Sequence, residues 1–313
     1  MKKPLVVVVV GPTASGKTSL AIEIARKFDG EIVSADSMQI YKNMNIATAK
    51  PTKDELAAVR HHLIGFLDVN EEYSVASFKN DALSTVRDIL SRGKLPVVCG
   101  GTGLYIDTLI KNTVFFEHGK TDVRAELEST ADKEGTEAVL QRLREVDPEA
   151  ADKLHINDRK RIIRALEVYL TTGRTITEQE RLSHLEESEF EWCVIGLTAK
   201  NRSVLYDRIN RRVDMMLSDG LLSEAQAFFD SEYSATARQA IGYKELKPYL
   251  DGFVSLDEAT EKLKMETRRY AKRQLTWFRR NDKINWINID DTDGKSLIGI
   301  ASDIIKNYSG DKL

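Results

Sequence analysis

The chain has 313 residues, 42% of them hydrophobic and 30% charged, which is enough for a sizeable core and close to the length at which one core divides in two. Two cysteines, Cys99 and Cys193, with no C-x-x-C pair and no His/Cys cluster at ligand spacing, argue against a disulfide framework or a zinc site and point to a reducing, cytoplasmic setting. A formal net charge of −3 argues against a uniformly basic nucleic-acid binder. That total hides an uneven distribution: residues 1–120 carry 15 basic and 13 acidic side chains, residues 121–195 carry 11 and 18, and residues 196–313 carry 20 and 18.

Leu5 to Val10 is a continuous apolar run without a polar face, the pattern of a strand buried on both sides of a parallel sheet. At six residues it is too short for a secretion signal or a membrane span. A helix is predicted over 17–28, a strand over 31–35, a helix over 77–90 and a strand over 96–99, so strands alternate with helices as in βαβ units. From 121 to 191 the pattern is helical throughout and reads as an insertion. A strand over 192–197, helices over 202–217 and 257–278 and a last strand over 284–289 return the chain to the core. The expected fold class is α/β: a P-loop parallel sheet flanked by helices, made of 1–120 and 192–313, with a helical insertion domain at 121–191.

The strongest chemical signal is Gly11-Pro12-Thr13-Ala14-Ser15-Gly16-Lys17-Thr18, which fits G-x-x-x-x-G-K-[ST] at the end of the first strand and the start of a helix. Small residues let backbone N–H groups approach phosphate oxygens, the helix start adds its positive end, Lys17 neutralises charge, and the Thr18 hydroxyl is a ligand for Mg²⁺. In an open parallel sheet the carboxyl ends of the strands line one crevice. Two further blocks, Asp36-Ser37-Met38-Gln39-Ile40-Tyr41 and Gly100-Gly101-Thr102-Gly103-Leu104-Tyr105, follow strands and should face the P-loop. Asp36 beside a bound diphosphate calls for a cation partner or a proton-accepting role; the plainer alternative is a helix N-cap. His61 and His62, adjacent and without a third ligand, read as packing or hydrogen-bonding groups rather than a metal site.

Together, GPTASGKT at 11–18, DSMQIYK at 36–42 and GGTGLY at 100–105 resemble the blocks of the bacterial tRNA dimethylallyltransferase family. The resemblance continues in order through 61–64, 157–167, 208–213, 240–245 and 272–279. It departs modestly after Tyr105, where Lys111 and Asn112 stand in a stretch expected to hold a glycine. The family implies transfer of the dimethylallyl group of dimethylallyl diphosphate to N6 of the adenosine adjacent to the anticodon of tRNA, with Mg²⁺ and release of diphosphate. Carried onto this chain, it makes Asp36 the group that takes the proton from the adenine amine, places Thr102 by the same base, and aims Arg212 at the diphosphate; the plainer alternative for Arg212 is a solvated helix face. It also implies contacts with the anticodon stem-loop by Asp36, Ser37, Met38, Gln39 and Thr102, and by Arg124, Lys160, Arg161, Ile162, Ile163 and Arg164 in the insertion. The same holds for Arg238, Gln239, Ala240, Ile241, Gly242 and Tyr243, and for Lys272, Arg273, Gln274, Trp277 and Arg279.

The stretch from Arg268 to Arg280 supports the RNA side independently. It holds six basic residues, no acidic ones, and Tyr270, Trp277 and Phe278 interleaved, and phosphate contacts with aromatic stacking are the means by which single-stranded RNA is recognised. An amphipathic core helix with Leu275 and Phe278 packed inward is the competing account. Two other activities use the same P-loop: a nucleotide-binding, ATP-dependent small-molecule kinase, and a prenyltransferase acting on free adenine nucleotides. The basic, aromatic final third favours a polynucleotide acceptor. No membrane association is expected, and no exposed apolar stripe calls for a dimer, so a monomer is expected.

Overall fold

A computed structural model describes residues 3–116, 122–185, 187–292 and 294–309. The elements in chain order are β1 (Leu5–Val10), α1 (Lys17–Lys27), β2 (Gly30–Ser34), α2 (Lys53–Ala58), β3 (His61–His62), α3 (Val75–Ser91), β4 (Leu95–Gly100) and α4 (Gly103–Ile110). Next come α5 (Val123–Glu134), α6 (Thr136–Val146), α7 (Pro148–Lys153), α8 (Arg159–Thr172) and α9 (Ile176–Leu185). The chain then forms β5 (Glu191–Thr198), α10 (Arg202–Ser218), α11 (Leu221–Phe229), a 3₁₀ turn (Ala237–Gln239), α12 (Tyr243–Leu250), α13 (Leu256–Phe278), β6 (Asn285–Asn288) and α14 (Gly294–Ser309).

Six strands form one sheet in the order β3-β2-β4-β1-β5-β6, and every pair is parallel. The run of valines explains the position of β1: Val6 to Val10 are all at most 1% exposed, so this strand is covered on both faces, as a central parallel strand must be. Alternate residues Val7 and Val9 join Ile32, Val97, Ile195 and Leu197 in a core with Leu20, Ile24, Leu205, Ile209 and Ile305 from α1, α10 and α14. On α3, Phe78, Ala82, Val86 and Ile89 are buried at helical spacing, and the helix packs on β2 and β4. A second core gathers Ile40, Tyr41 and Met44 with α11, α12 and the first half of α13, where Phe228 stacks on Tyr243 with ring centroids 4.5 Å apart.

The chain separates into two units, 1–106 with 189–313, and 107–188. The expected boundary at 120–121 lies outside the described residues. The second unit is helical, with its own core of Leu127, Val139, Leu140, Leu143, Ile162, Ile163 and Leu166. In it Arg124 and Arg164 both bond the Glu167 carboxylate, at 2.7 and 2.8 Å. No helix among the described residues is long and apolar enough to cross a membrane.

Two differences from the sequence reading have simple causes. The last strand runs over Asn285–Asn288 rather than 284–289, ending where its pairing with β5 ends at Thr198 and Asn288. His61 and His62 form an edge strand, too short for any periodicity, that pairs with Ile32 and Val33. His62 Nε2 lies 2.7 Å from Glu31 Oε2, and Glu31 also receives a bidentate bond from Arg92. Those bonds, Arg92 first, overcome burial and hold the Glu31 carboxyl at about 2. Because the folded value lies below the usual 4.5, the cluster stabilises the fold fully above that pH and loses its contribution as pH falls towards 2. Glu31→Gln is therefore expected to lower Tm by roughly 3–6 °C at neutral pH, with the gap from wild type closing as the scan is moved below pH 4.5. A gap that stays constant with pH would show that the carboxylate charge is not what matters.

Candidate functional site

The loops after β1, β2 and β4 leave the sheet at one edge because all three strands point the same way. They meet helices α10 and α13 around a cavity of ≈400 Å³ in the first unit. From the P-loop it is lined by Thr13, Lys17 and Thr18; from the loop after β2 by Asp36, Ser37, Met38 and Gln39. Arg212 enters from α10, and Tyr270, Arg273 and Gln274 from α13. Apolar wall is supplied by Ile32, Ile64, Ile209, Val213, Met216, Leu221 and Leu263.

The P-loop is curled by Ala14 at φ 63° and Gly16 at φ 89°, which turns successive amides inward ahead of the α1 terminus. Gly16 forms the N-cap in the left-handed region and offers no side chain, so the first turn of α1 has no internal cap and its N–H groups are left to a ligand. Burial lowers the Lys17 pKa, and Arg212 lowers it further while Asp36 opposes the shift. Burial likewise lowers Arg212, against the pull of Asp36 and Glu55. Arg212 forms no hydrogen bond or ion pair among the described residues. It reaches the cavity because Leu205, Ile209 and Val213 bury one face of α10 and carry Arg212 inward at its edge, whereas Arg208 and Arg211 are exposed. Two crowded, incompletely paired cations facing one cavity form an anion site.

Asp36 sits opposite them. Its Oδ1 accepts from the N–H groups of Met38 and Gln39 at 2.9 and 3.3 Å, closing a turn, while Oδ2 has no partner among the described residues. One oxygen thus fixes the carboxylate and the other remains for chemistry. Thr102 Oγ1 accepts from Ser37 N–H at 3.0 Å and lies 3.3 Å from Ser37 Oγ, tying the loop after β4 to the loop after β2. The adjacent glycines have a steric reason: a Cβ on Gly100 would stand 2.1 Å from the Ala35 carbonyl oxygen, and one on Gly101 would stand 2.2 Å from Gln274 Nε2. Burial pushes the Cys99 thiol, on the cavity floor, up to about 12, which makes it an inert wall. Thr18 lines the cavity, and its hydroxyl has no hydrogen bond among the described residues. With Asp36 across the space, it provides the hard oxygen donors that a magnesium ion on a diphosphate takes.

The remaining sequence-implied residues separate into several groups. Gln239, Ala240, Ile241 and Gly242 line the cavity, and Arg238 is exposed beside them. Lys272 is exposed on α13 and Arg279 is exposed at its C-cap, and Trp277 lies over Gly103 with its Nε1 buried and unpartnered. Lys160 and Arg161 are exposed on α8 of the second unit.

The side chains of Ile162, Ile163, Tyr243 and Gln274 are buried within the protein. Ile162 and Ile163 are 0% and 3% exposed in the core of the second unit, where the i, i+1 positions of an amphipathic helix face inward. The Tyr243 side chain is 1% exposed and donates its hydroxyl to Glu224 at 2.8 Å. Gln274, 5% exposed, bonds Thr13 and Gly101.

Sequence reasoning missed Glu224 and Lys50, which hold the rim, and the bonds that Gln39 makes there. Glu224 accepts from the N–H groups of Asn45, Ile46 and Ala47 at 2.8, 2.8 and 2.9 Å, and Gln39 Nε2 donates to the Thr48 and Ala49 carbonyls. Lys50, lowered by burial to about 8, donates to the Tyr41 and Lys42 carbonyls. These are side-chain bonds to distant backbone, which no local pattern announces. His61 also lines the cavity; its Nδ1 lies 2.8 Å from the Val59 carbonyl, while Nε2 is buried and unpartnered.

The profile of the IPP transferase family matches residues 39–281. The chain is 50% identical over 296 residues to a tRNA dimethylallyltransferase of Acetivibrio thermocellus, covering 94% of each. It is 48% identical over 290 residues to another of Caldanaerobacter subterraneus, covering 91% of this chain and 92% of that one. Its fold is similar to the full-length tRNA isopentenylpyrophosphate transferase of Bacillus halodurans, at 42% identity and TM-score 0.73, over 98% of this chain and 97% of that one. It is also similar to a eukaryotic dimethylallyltransferase acting on tRNA, at 30% identity and TM-score 0.80, over 97% of this chain and 80% of that one.

Arg212→Gln is expected to weaken binding of inorganic pyrophosphate roughly 10- to 100-fold, the worth of one charge-assisted hydrogen bond in a confined site, as read by titration calorimetry. A change under about twofold would place Arg212 among solvated charges.

Proposed function

This chain belongs to the IPP transferase family, and on that premise we propose that it transfers the dimethylallyl group of dimethylallyl diphosphate to N6 of the adenosine adjacent to the anticodon of tRNA. The observation that carries the reading is the meeting, in one cavity, of an anion cradle with two cations and a carboxylate with one uncommitted oxygen. A donor diphosphate occupies the P-loop beside Lys17 and Arg212, with its allylic tail against the apolar wall. The adenine amine approaches from the side of Asp36 and Thr102.

In the reaction the N6 lone pair forms a bond to the allylic carbon, the carbon–oxygen bond breaks, and its electron pair leaves with the diphosphate. Charge builds on the departing oxygens, so Lys17, Arg212 and the P-loop amides stabilise the transition state more than the ground state. The Asp36 Oδ2 accepts the N6 proton, a role worth about 10²–10⁴ in rate. The Thr18 hydroxyl, with Asp36 nearby, would hold a magnesium ion, which would supply positive charge for the leaving diphosphate. To bring N6 into the cavity the adenine must leave its stack, which costs least in a single-stranded loop such as the anticodon loop. The exposed basic residues Lys272 on α13 and Arg279 at its C-cap suit the phosphates of that loop. The protein acts as a monomer in the cytoplasm in this account.

Incubation with Mg²⁺, dimethylallyl diphosphate and unmodified tRNA, followed by digestion to nucleosides, is expected to yield an adenosine heavier by one dimethylallyl group. Phosphate transfer from ATP to a small acceptor with no such nucleoside would return the chain to the kinase reading. Asp36→Asn is expected to slow single-turnover transfer by about 10²–10⁴ while leaving tRNA affinity unchanged; near-normal transfer would remove Asp36 as the base. Lys272→Ala with Arg279→Ala is expected to weaken tRNA binding and reduce the magnitude of its log–log salt slope by about one per lost phosphate contact. An unaltered slope would move the RNA off this face.

A further inference from the structure

Within the reading above, the P-loop carries the donor and the loop after β4 carries Thr102 against the acceptor, yet no backbone hydrogen bond joins the two loops among the described residues. They are joined by one side chain. Gln274 Oε1 accepts from Thr13 N–H at 2.8 Å, and Gln274 Nε2 donates to the Gly101 carbonyl at 2.9 Å. The orientation of the amide is not arbitrary, since an N–H faces one end and a carbonyl the other. We propose that Gln274 is a positioning residue for the transfer: it cross-braces the donor loop and the acceptor loop and so sets the approach of the adenine amine to the allylic carbon.

Three observations carry this. Gln274 is 5% exposed, so water does not compete for either bond. Gly101 is shaped to receive it, because any Cβ there would stand 2.2 Å from Nε2 and displace the brace. Thr13 is the residue at which the P-loop begins its curl through Ala14 and Gly16, so holding its N–H fixes the loop where a small rotation would redirect every amide after it. The Thr102 side chain, next to Gly101, is in turn bonded to Ser37, whose neighbour is Asp36. The amide of Gln274 therefore lies in an unbroken line of contacts from the diphosphate cradle to the proton acceptor. An error of about 1 Å in such an arrangement costs about 10²-fold in rate with little change in binding.

The test compares wild type with Gln274→Met, which keeps length and volume but neither bond, and with Gln274→Glu. Production of prenylated adenosine by wild type decides the underlying reading first; the variants are scored only as ratios to wild type. Gln274→Met is expected to lose about 10²-fold in single-turnover rate at saturating donor and tRNA, with pyrophosphate and tRNA affinities each within about threefold of wild type. In Gln274→Glu the ionised carboxylate can accept from Thr13 but has no proton for the Gly101 carbonyl, whereas the neutral acid restores both bonds. Its rate relative to wild type at the same pH is expected to rise as pH falls from about 8.5 to about 5.5, the range in which a buried carboxyl titrates. A Met variant within about threefold of the wild-type rate, or one whose rate loss is matched by its loss of binding, overturns the proposal. Should that variant fail to fold, the Glu variant decides: a ratio that does not change with pH overturns it equally.

Discussion

A parallel sheet has a directional consequence on which everything else in this molecule depends: strands that run the same way release their following loops at the same edge. Here β1, β2 and β4 are neighbours in the order β2-β4-β1, so the P-loop, Asp36 and the Gly100-Gly101-Thr102 turn are placed side by side although they are far apart in the chain. The price of that arrangement is a central strand with no polar face. The valines of β1 meet it, and buried residues of α1, α10 and α14 join Val7 and Val9 in one core.

Once the loops converge, electrostatics decides what the cavity can hold. Lys17 and Arg212 are both held below their ordinary pKa values chiefly by burial, and each is supported by the Asp36 carboxylate. A diphosphate would relieve the repulsion between the cations and restore them. Asp36 itself is divided: one oxygen is committed to the turn at Met38 and Gln39, and the other is open to the cavity. The division lets one residue be rigid and reactive together, because the bonds that orient the group do not occupy the atom that reacts.

Helix α13 illustrates how one segment serves two purposes. Its buried stripe includes Leu263, Ala271, Gln274 and Phe278, its exposed face carries Lys272 and Arg273, and Arg279 and Arg280 follow exposed at its end. The amphipathic-core account of this stretch holds for its buried stripe, and the periodicity of 3.6 leaves the basic residues on the other face free for the proposed RNA contact. Arg273 and Tyr270 extend the polar face into the cavity wall, and Gln274 reaches past it to the two substrate loops.

The amino-acid sequence by itself determined the sheet class, the P-loop and the blocks at 36–42 and 100–105, because phosphate binding and tight turns need particular residues at fixed local spacing. It also carried the resemblance that names the family. It could not show that Ile162 and Ile163 are core, that Tyr243 is buried against Glu224, or that Gln274 bonds Thr13 of the P-loop. Nor could it place the apolar wall of the cavity or the bonds from Glu224, Gln39 and Lys50 that hold the rim. A motif is a constraint between neighbours in the chain and can be read there, whereas the direction in which a side chain points, and the distant backbone group it meets, is decided only when the helices pack.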